Sequence, residues 1–103
     1  MIDDELRPIV TEFIAEMLNE PRCESMLLDV REDARVGSDL PVLYLDVIGK
    51  QYKCTLNVVG EEYSVNIRDL DTNKTITTVE RGAGAWGLQE LLAEIKTKLW
   101  EDK

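Results

Sequence analysis

Histidine is absent from this 103-residue chain, and its absence removes the most common ways to build a catalytic site. Without an imidazole, neither a Ser-His nor a Cys-His dyad can form. Carboxylates that could act in pairs are mostly neighbours in sequence, as in Asp3-Asp4 and Glu32-Asp33, which is typical of solvated surface acids. We therefore expect no catalytic residues and a protein that is not an enzyme.

Cysteines, N-terminal basic residues and long apolar runs are also scarce. The only two cysteines, Cys23 and Cys54, cannot complete the ligand set of a structural zinc site without histidine. The first residues are acidic where a signal peptide would be basic, and no apolar run approaches the roughly 20 residues that cross a bilayer. We expect a cytoplasmic protein without a cofactor, whose two thiols are reduced rather than joined in a disulfide.

Basic residues are outnumbered: 12 lysines and arginines stand against 21 aspartates and glutamates, which gives a net charge of −9. The field of such a chain repels nucleic acid and anionic lipid, so we expect no direct binding to either. A partner that is steered by charge should be basic. The alternative is that the acidity only keeps a small domain soluble and monomeric.

Two segments, one near each end of the chain, repeat apolar residues at helical spacing. The first pattern predicts a helix from about residue 4 to about residue 19, with Pro8 in its opening turn and Pro21 after its end. The second pattern predicts a C-terminal amphipathic helix. Its apolar stripe consists of Leu88, Leu91, Leu92, Ile95 and Leu99.

Between the helices, apolar and polar residues alternate as in half-buried strands, first in "SMLLDVR" and then in "PVLYLDVIG". A two-residue turn at Gly49-Lys50 would set Leu45 against Cys54 and Asp46 against Lys53. A second such turn, at Gly60-Glu61, would set Leu56 against Val65. The run "TITTVE" has strong β-propensity but poor alternation, so its register stays open.

These elements predict a single α+β domain over residues 1–103. We expect two layers: a four-stranded antiparallel meander, with the N- and C-terminal helices on one face, in the order α-β-β-β-β-α.

Two motifs invite a ligand interpretation, and neither is complete. Gly82, Gly84 and Gly87 have the spacing of the dinucleotide-binding fingerprint, but the strands before them form hairpins and no ribose-binding acid follows. We expect a close strand-to-helix connection there, the alternative being an anion nest beside Arg81.

The second motif places oxygen ligands at the spacing of an EF-hand calcium loop. The matching positions are Asp69, Asp71, Asn73, Thr75 and Glu80. The position that needs glycine is Lys74, however, and no helices flank the loop. We expect a hairpin turn and no metal site.

The remaining candidates are surfaces for a protein partner. Tyr44 lies on an outer sheet face that is more apolar than solvation requires, and Trp86 is a candidate anchor near the glycines. The acids fall into two groups, near the first long loop and at hairpin ends. They are Asp29, Glu32, Asp33 and Asp39, and Glu61, Glu62, Asp69 and Asp71.

From charge and the lack of catalytic groups, we expect an inhibitor that binds a basic site on a partner, such as a nucleic-acid-processing enzyme. Proteins of the anti-CRISPR, anti-restriction and immunity types act in this way, with acids in place of nucleic-acid phosphates. The alternative is a dimeric chaperone or adaptor that offers its sheet face to a peptide or to a second copy.

Overall fold

A computed structural model of the protein describes residues 6–33, 40–59, 62–81 and 84–101. The elements in chain order are α1 (Leu6–Leu18), β1 (Ser25–Asp33), β2 (Leu40–Ile48), β3 (Tyr52–Val59), β4 (Glu62–Asp69), β5 (Lys74–Arg81) and α2 (Ala85–Glu101). The five strands form one antiparallel sheet in the order β1-β2-β3-β4-β5.

The expected α+β class and the terminal helices are confirmed, but the strand count of four is wrong. The structure has five strands, and each of them is formed by a run of strand-forming residues in the sequence. The predicted number of strands left out one of these runs. The run that begins at Ser25 pairs along its whole length with β2, from Ser25 opposite Ile48 to Asp33 opposite Leu40. This pairing places β1 at one edge of the sheet.

Residues near the two ends of helix α1 have the roles that are usual at helix ends. Pro8 lies in the first turn, where its missing N–H costs no helical hydrogen bond. At the other end, the side-chain amide of Asn19 donates to the carbonyl of Ala15 at 3.2 Å, and Pro21 follows. The helix therefore ends at Leu18, close to the predicted end near residue 19, while the predicted start near residue 4 lies outside the described residues.

Both helices pack against the sheet, and their apolar stripes join the strands in one buried cluster. From the helices the cluster takes Leu6, Val10, Phe13, Met17, Leu88, Leu91, Leu92, Ile95 and Leu99, and from the strands Leu43, Leu45, Val47, Cys54, Leu56, Val58, Tyr63, Val65 and Ile67. In β2, β3 and β4 these strand residues alternate with half-buried or exposed ones. One face of the sheet therefore supplies the core, and the other face carries the side chains considered below.

The first hairpin has a different register from the one that a two-residue turn at Gly49-Lys50 predicts. Leu45 lies opposite Leu56 rather than Cys54, and Cys54 lies opposite Val47. The turn lies one residue further along the chain: the Gly49 N–H donates to the Tyr52 carbonyl at 2.9 Å, so that Lys50 and Gln51 lie at its tip. Because the shift is by two residues, every side chain keeps its face.

The other two hairpins follow the sequence more closely. In the second, Leu56 lies opposite Val65, as predicted. In the third, the register shifts between Ile67 and Arg68, so that Ile76 is an extra residue on β5. This bulge explains the poor alternation of "TITTVE", because the extra residue at Ile76 interrupts the alternation of side chains between the two faces of the sheet.

The glycine-containing connection leads directly from β5 into α2. Gly84 has a φ of 105°, a left-handed conformation that favours glycine, and its N–H donates to the Tyr63 hydroxyl at 3.3 Å. Gly87 is buried inside the helix. The bond to Tyr63 ties the residue before α2 to β4, while Gly82 lies outside the described residues.

Candidate functional site

The sheet face that points away from the helices brings two of the predicted partner-binding residues together. Asp29 lies directly opposite Tyr44, and this pair begins a row that crosses all five strands. The row consists of Asp29, Tyr44, Asn57, Ser64 and Glu80. An acid therefore lies at each end of the row, with the half-buried Tyr44 between them.

Acidic residues also gather at one end of the sheet, which we call the acid-bearing end. In an antiparallel meander, the C-terminal end of β1, the N-terminal end of β4 and the C-terminal end of β5 lie at the same end of the sheet, with β2 and β3 between β1 and β4. The acid-bearing end is defined by Glu32, Asp33, Glu62 and Glu80. Two arginines at the same strand ends, Arg31 and Arg81, partly offset this charge.

Not every predicted acid at this end can be described to the same depth. Glu62 and Glu80 are exposed. For Glu32 and Asp33 the backbone is described and the side chains are not, and Asp39 and Glu61 lie outside the described residues. What the structure establishes is that the strand segments carrying Glu32, Asp33 and Glu62 reach the same end of the sheet.

Asp69 and Asp71 lie at the opposite end. They lie at the turn between β4 and β5, and Asp69 is seven residue steps, or about 24 Å, from Glu62 at the other end of β4. Asp69 organises this turn, since its carboxylate accepts from the backbone N–H of Asp71 at 2.8 Å and of Thr72 at 3.3 Å. The fold thus divides the predicted acids between two ends.

The residues with EF-hand spacing form an ordinary hairpin. Asn73 takes a left-handed φ of 59° in the turn, and its N–H donates to the Asp69 carbonyl at 2.8 Å. Thr75 and Glu80 lie on β5, paired with Arg68 and Ser64. In the parts of the chain that the structure describes, no three acidic or cysteine side chains are grouped as metal ligands.

Trp86 stands at the start of α2 and is 76% exposed. Gly84, two residues earlier, bonds to the hydroxyl of Tyr63, the neighbour of Glu62 on β4. The first turn of α2, which carries the exposed indole, therefore lies at the end of the sheet where β4 begins, and Leu88 in the next turn is buried.

Several polar side chains of the outer face form hydrogen bonds and an ion pair with one another. The Thr55 hydroxyl donates to Asp46 at 2.7 Å, and the Lys53 ammonium lies 3.8 Å from the same carboxylate. One strand further, the Thr78 hydroxyl donates to Asn66 at 2.9 Å. The predicted Asp46–Lys53 ion pair is present, although the two residues are diagonal rather than directly opposite.

The two cysteines are free thiols, as expected. Burial raises the pKa of Cys54 to about 12, against a smaller lowering effect of Lys98. Burial likewise raises the pKa of the half-buried Cys23, against a smaller lowering effect of a backbone hydrogen bond with Ser25. Neither environment resembles that of a nucleophilic cysteine, whose pKa is lowered by nearby positive charge.

One surface was missed by the sequence analysis: a groove between α1 and the edge strand β1. We call it the edge groove; it has a volume of about 330 Å³ and is lined by Ile14, Met17, Leu18, Cys23, Glu24, Ser25, Met26, Leu28 and Leu45. The signal that could have found it is the adjacent pair Leu27-Leu28, because apolar residues on both faces of a strand cannot all be covered by one helical layer.

Within the described segments, neither helix is long and apolar enough to cross a membrane. Comparisons of the chain with models of protein families, with curated proteins and with solved structures found no match.

Proposed function

We propose that the protein is a non-catalytic, acidic inhibitor that occupies a basic, nucleic-acid-binding site on a partner protein. The observation that carries this proposal is the meeting of β1, β4 and β5 at the acid-bearing end. Four acidic residues and two arginines lie at those strand ends, on a chain whose net charge is −9. Both the local and the overall charge thus favour a basic partner.

The acids have the properties that mimicry of phosphates requires. Glu62 and Glu80 are exposed, so they can contact a partner's lysines and arginines without first leaving a buried position. A rigid sheet fixes their spacing, which reduces the entropy lost on binding. Proteins of the anti-CRISPR, anti-restriction and immunity types are the functional classes to which such a mechanism belongs.

Aromatic side chains near the acids would supply the part of the affinity that does not depend on salt. Trp86 is exposed and is attached to a well-packed helix, as an interface anchor should be. Tyr44 lies beside Asp29 on the outer face and offers a second, flatter contact. A partner arginine can stack on either ring while it pairs with a neighbouring carboxylate.

The test begins with a pull-down from the source cell and identification of the partner by mass spectrometry. The recovered partner is then titrated with this protein in the presence and absence of a DNA or RNA duplex. We expect the two ligands to compete, and the association rate to fall as salt rises. A ternary complex of partner, nucleic acid and this protein would contradict the proposal.

A second candidate, a dimeric chaperone or adaptor, is favoured by one specific observation. Neither of the described helices covers the outer sheet face, yet this face carries half-buried Tyr44, Ile48 and Val59. Such a face could hold a peptide or a second copy. Binding through it would be nearly independent of salt, which distinguishes it from binding through the acid-bearing end.

A further inference from the structure

The two edges of the sheet differ in how they are protected against pairing with another strand. The β5 edge has a bulge at Ile76 and charged residues at both ends, Lys74 and Arg81, which are common devices against edge-to-edge association. The β1 edge, nine residues long, begins with "SMLLDV" and shows no register shift. Its first six residues contain no lysine and no proline.

The β1 edge continues directly into the edge groove. Leu28 is 50% exposed and Leu18, across the groove on α1, is 74% exposed, while Met17 and Leu45 form its buried floor. The described helices leave this part of the sheet's core face uncovered. A strand added beside β1 would therefore find backbone hydrogen-bonding groups along one side and an apolar surface for every second side chain.

Charge distinguishes between the occupants that such a site could take. Glu24 lines the groove and is exposed, and Asp29 lies further along β1 on the outer face. The chain from Glu20 to Asp33 contains five acids and only two arginines. A second copy would bring the same acidic edge, on a molecule of net charge −9, into contact with this one.

We propose that the β1 edge and the edge groove bind an extended segment of a basic partner, which adds to the sheet as a sixth strand. Alternate apolar side chains of the segment enter the groove between Leu18 and Leu28. The lysine or arginine side chains between them lie toward Asp29 on the outer face. This surface shares only the C-terminal end of β1 with the acid-bearing end, and the groove residues Glu24 and Leu28 lie outside that end. Variants of these two residues therefore test this proposal separately from the proposed inhibitor function.

The experiment uses a labelled nine-residue peptide of alternating lysine and valine, which matches the length of β1. Two control peptides are used: one with the same composition in two blocks, and one with glutamate in place of lysine. Leu28→Lys places a charge in the groove, and Glu24→Lys reverses the charge at its rim. Ile76→Lys is the matched control on the other edge, since Ile76 is 47% exposed.

We expect the alternating lysine peptide to bind, and each groove variant to weaken that binding by about tenfold or more, while Ile76→Lys changes it by less than about twofold. All variants should keep the parent's circular dichroism and melting curve, because the changed side chains are exposed.

The proposal is overturned if the alternating peptide does not bind, if the block or glutamate peptide binds equally well, or if Leu28→Lys has no effect. Sedimentation velocity tests whether a second copy of the chain occupies the site instead. A monomer is expected, whereas a dimer that Leu28→Lys dissociates would show that a second copy, not a basic segment, covers this edge.

Discussion

At the scale of single residues, Cys54 links the core to the pH dependence of stability. Its raised pKa, about 12, means that the folded protein keeps a proton which the unfolded chain loses above the ordinary value near 9. The free energy of unfolding should therefore fall as pH rises from about 9 toward 12, by up to about 1.4 kcal/mol per pH unit from this group.

We predict that this loss is smaller in Cys54→Ala. Urea unfolding at about pH 8 and about pH 10 should show that the parent loses about 1.4 kcal/mol more than the variant between the two conditions. Tyrosine and lysine titrations are common to both proteins and cancel in the comparison. Equal pH slopes for the two proteins would show that the thiol is not held protonated by burial.

Substitutions of Leu45 test which face of the sheet belongs to the core. Leu45 is fully buried opposite Leu56, so Leu45→Ala should lower the free energy of unfolding by about 2–5 kcal/mol. Leu45→Asp, which buries an unpaired charge, should not fold. Leu27→Ala is the control: this side chain is 65% exposed, and its loss should cost about 0.5 kcal/mol or less. A native-like melting curve for Leu45→Asp would contradict the face assignment.

At the scale of elements, the first hairpin shows where a sequence pattern stops being informative. Alternation decides the face of a side chain, but a register shift of two residues preserves every face, so the pattern cannot distinguish Leu56 from Cys54 as the partner of Leu45. The position of the turn decides the register, through the bond between Gly49 and Tyr52. The second hairpin, with Leu56 opposite Val65, could be predicted because its strands are joined at the assumed position.

We predict that nuclear Overhauser effects will join Val47 with Cys54 and Leu45 with Leu56 across this hairpin. The measurement needs only the isotope-labelled parent protein. Contacts of Val47 with Tyr52 instead would place the turn at Gly49-Lys50 and contradict the structure. The β3–β4 pair of Leu56 and Val65 serves as the internal control.

At the scale of the whole molecule, strand order decides which acids can act together. Once the meander is known, the β3–β4 turn must lie at the same end as the C-terminal end of β1, and the β4–β5 turn at the other. The separation of Glu62 from Asp69 was therefore within reach of sequence reasoning. The edge groove was not, because it depends on how far α1 covers β1, a matter of tertiary packing that periodicity does not specify.

The most direct test of the central claim reverses charges at the acid-bearing end and compares the effect with reversals elsewhere. Two double variants carry the test, Glu32→Lys with Asp33→Lys and Glu62→Lys with Glu80→Lys. Glu12→Lys with Asp71→Lys is the control of equal charge change, since both residues are exposed and Asp71 lies at the other end of the sheet.

Affinity for the partner recovered by pull-down is measured at low and at moderate salt. We predict that each test variant loses far more than the about 0.5 kcal/mol expected of scattered surface charges, that the control loses much less, and that salt weakens the parent's binding. If all three variants bind like the parent and salt has no effect, the inhibitor does not act through its acids, and the outer sheet face becomes the binding surface.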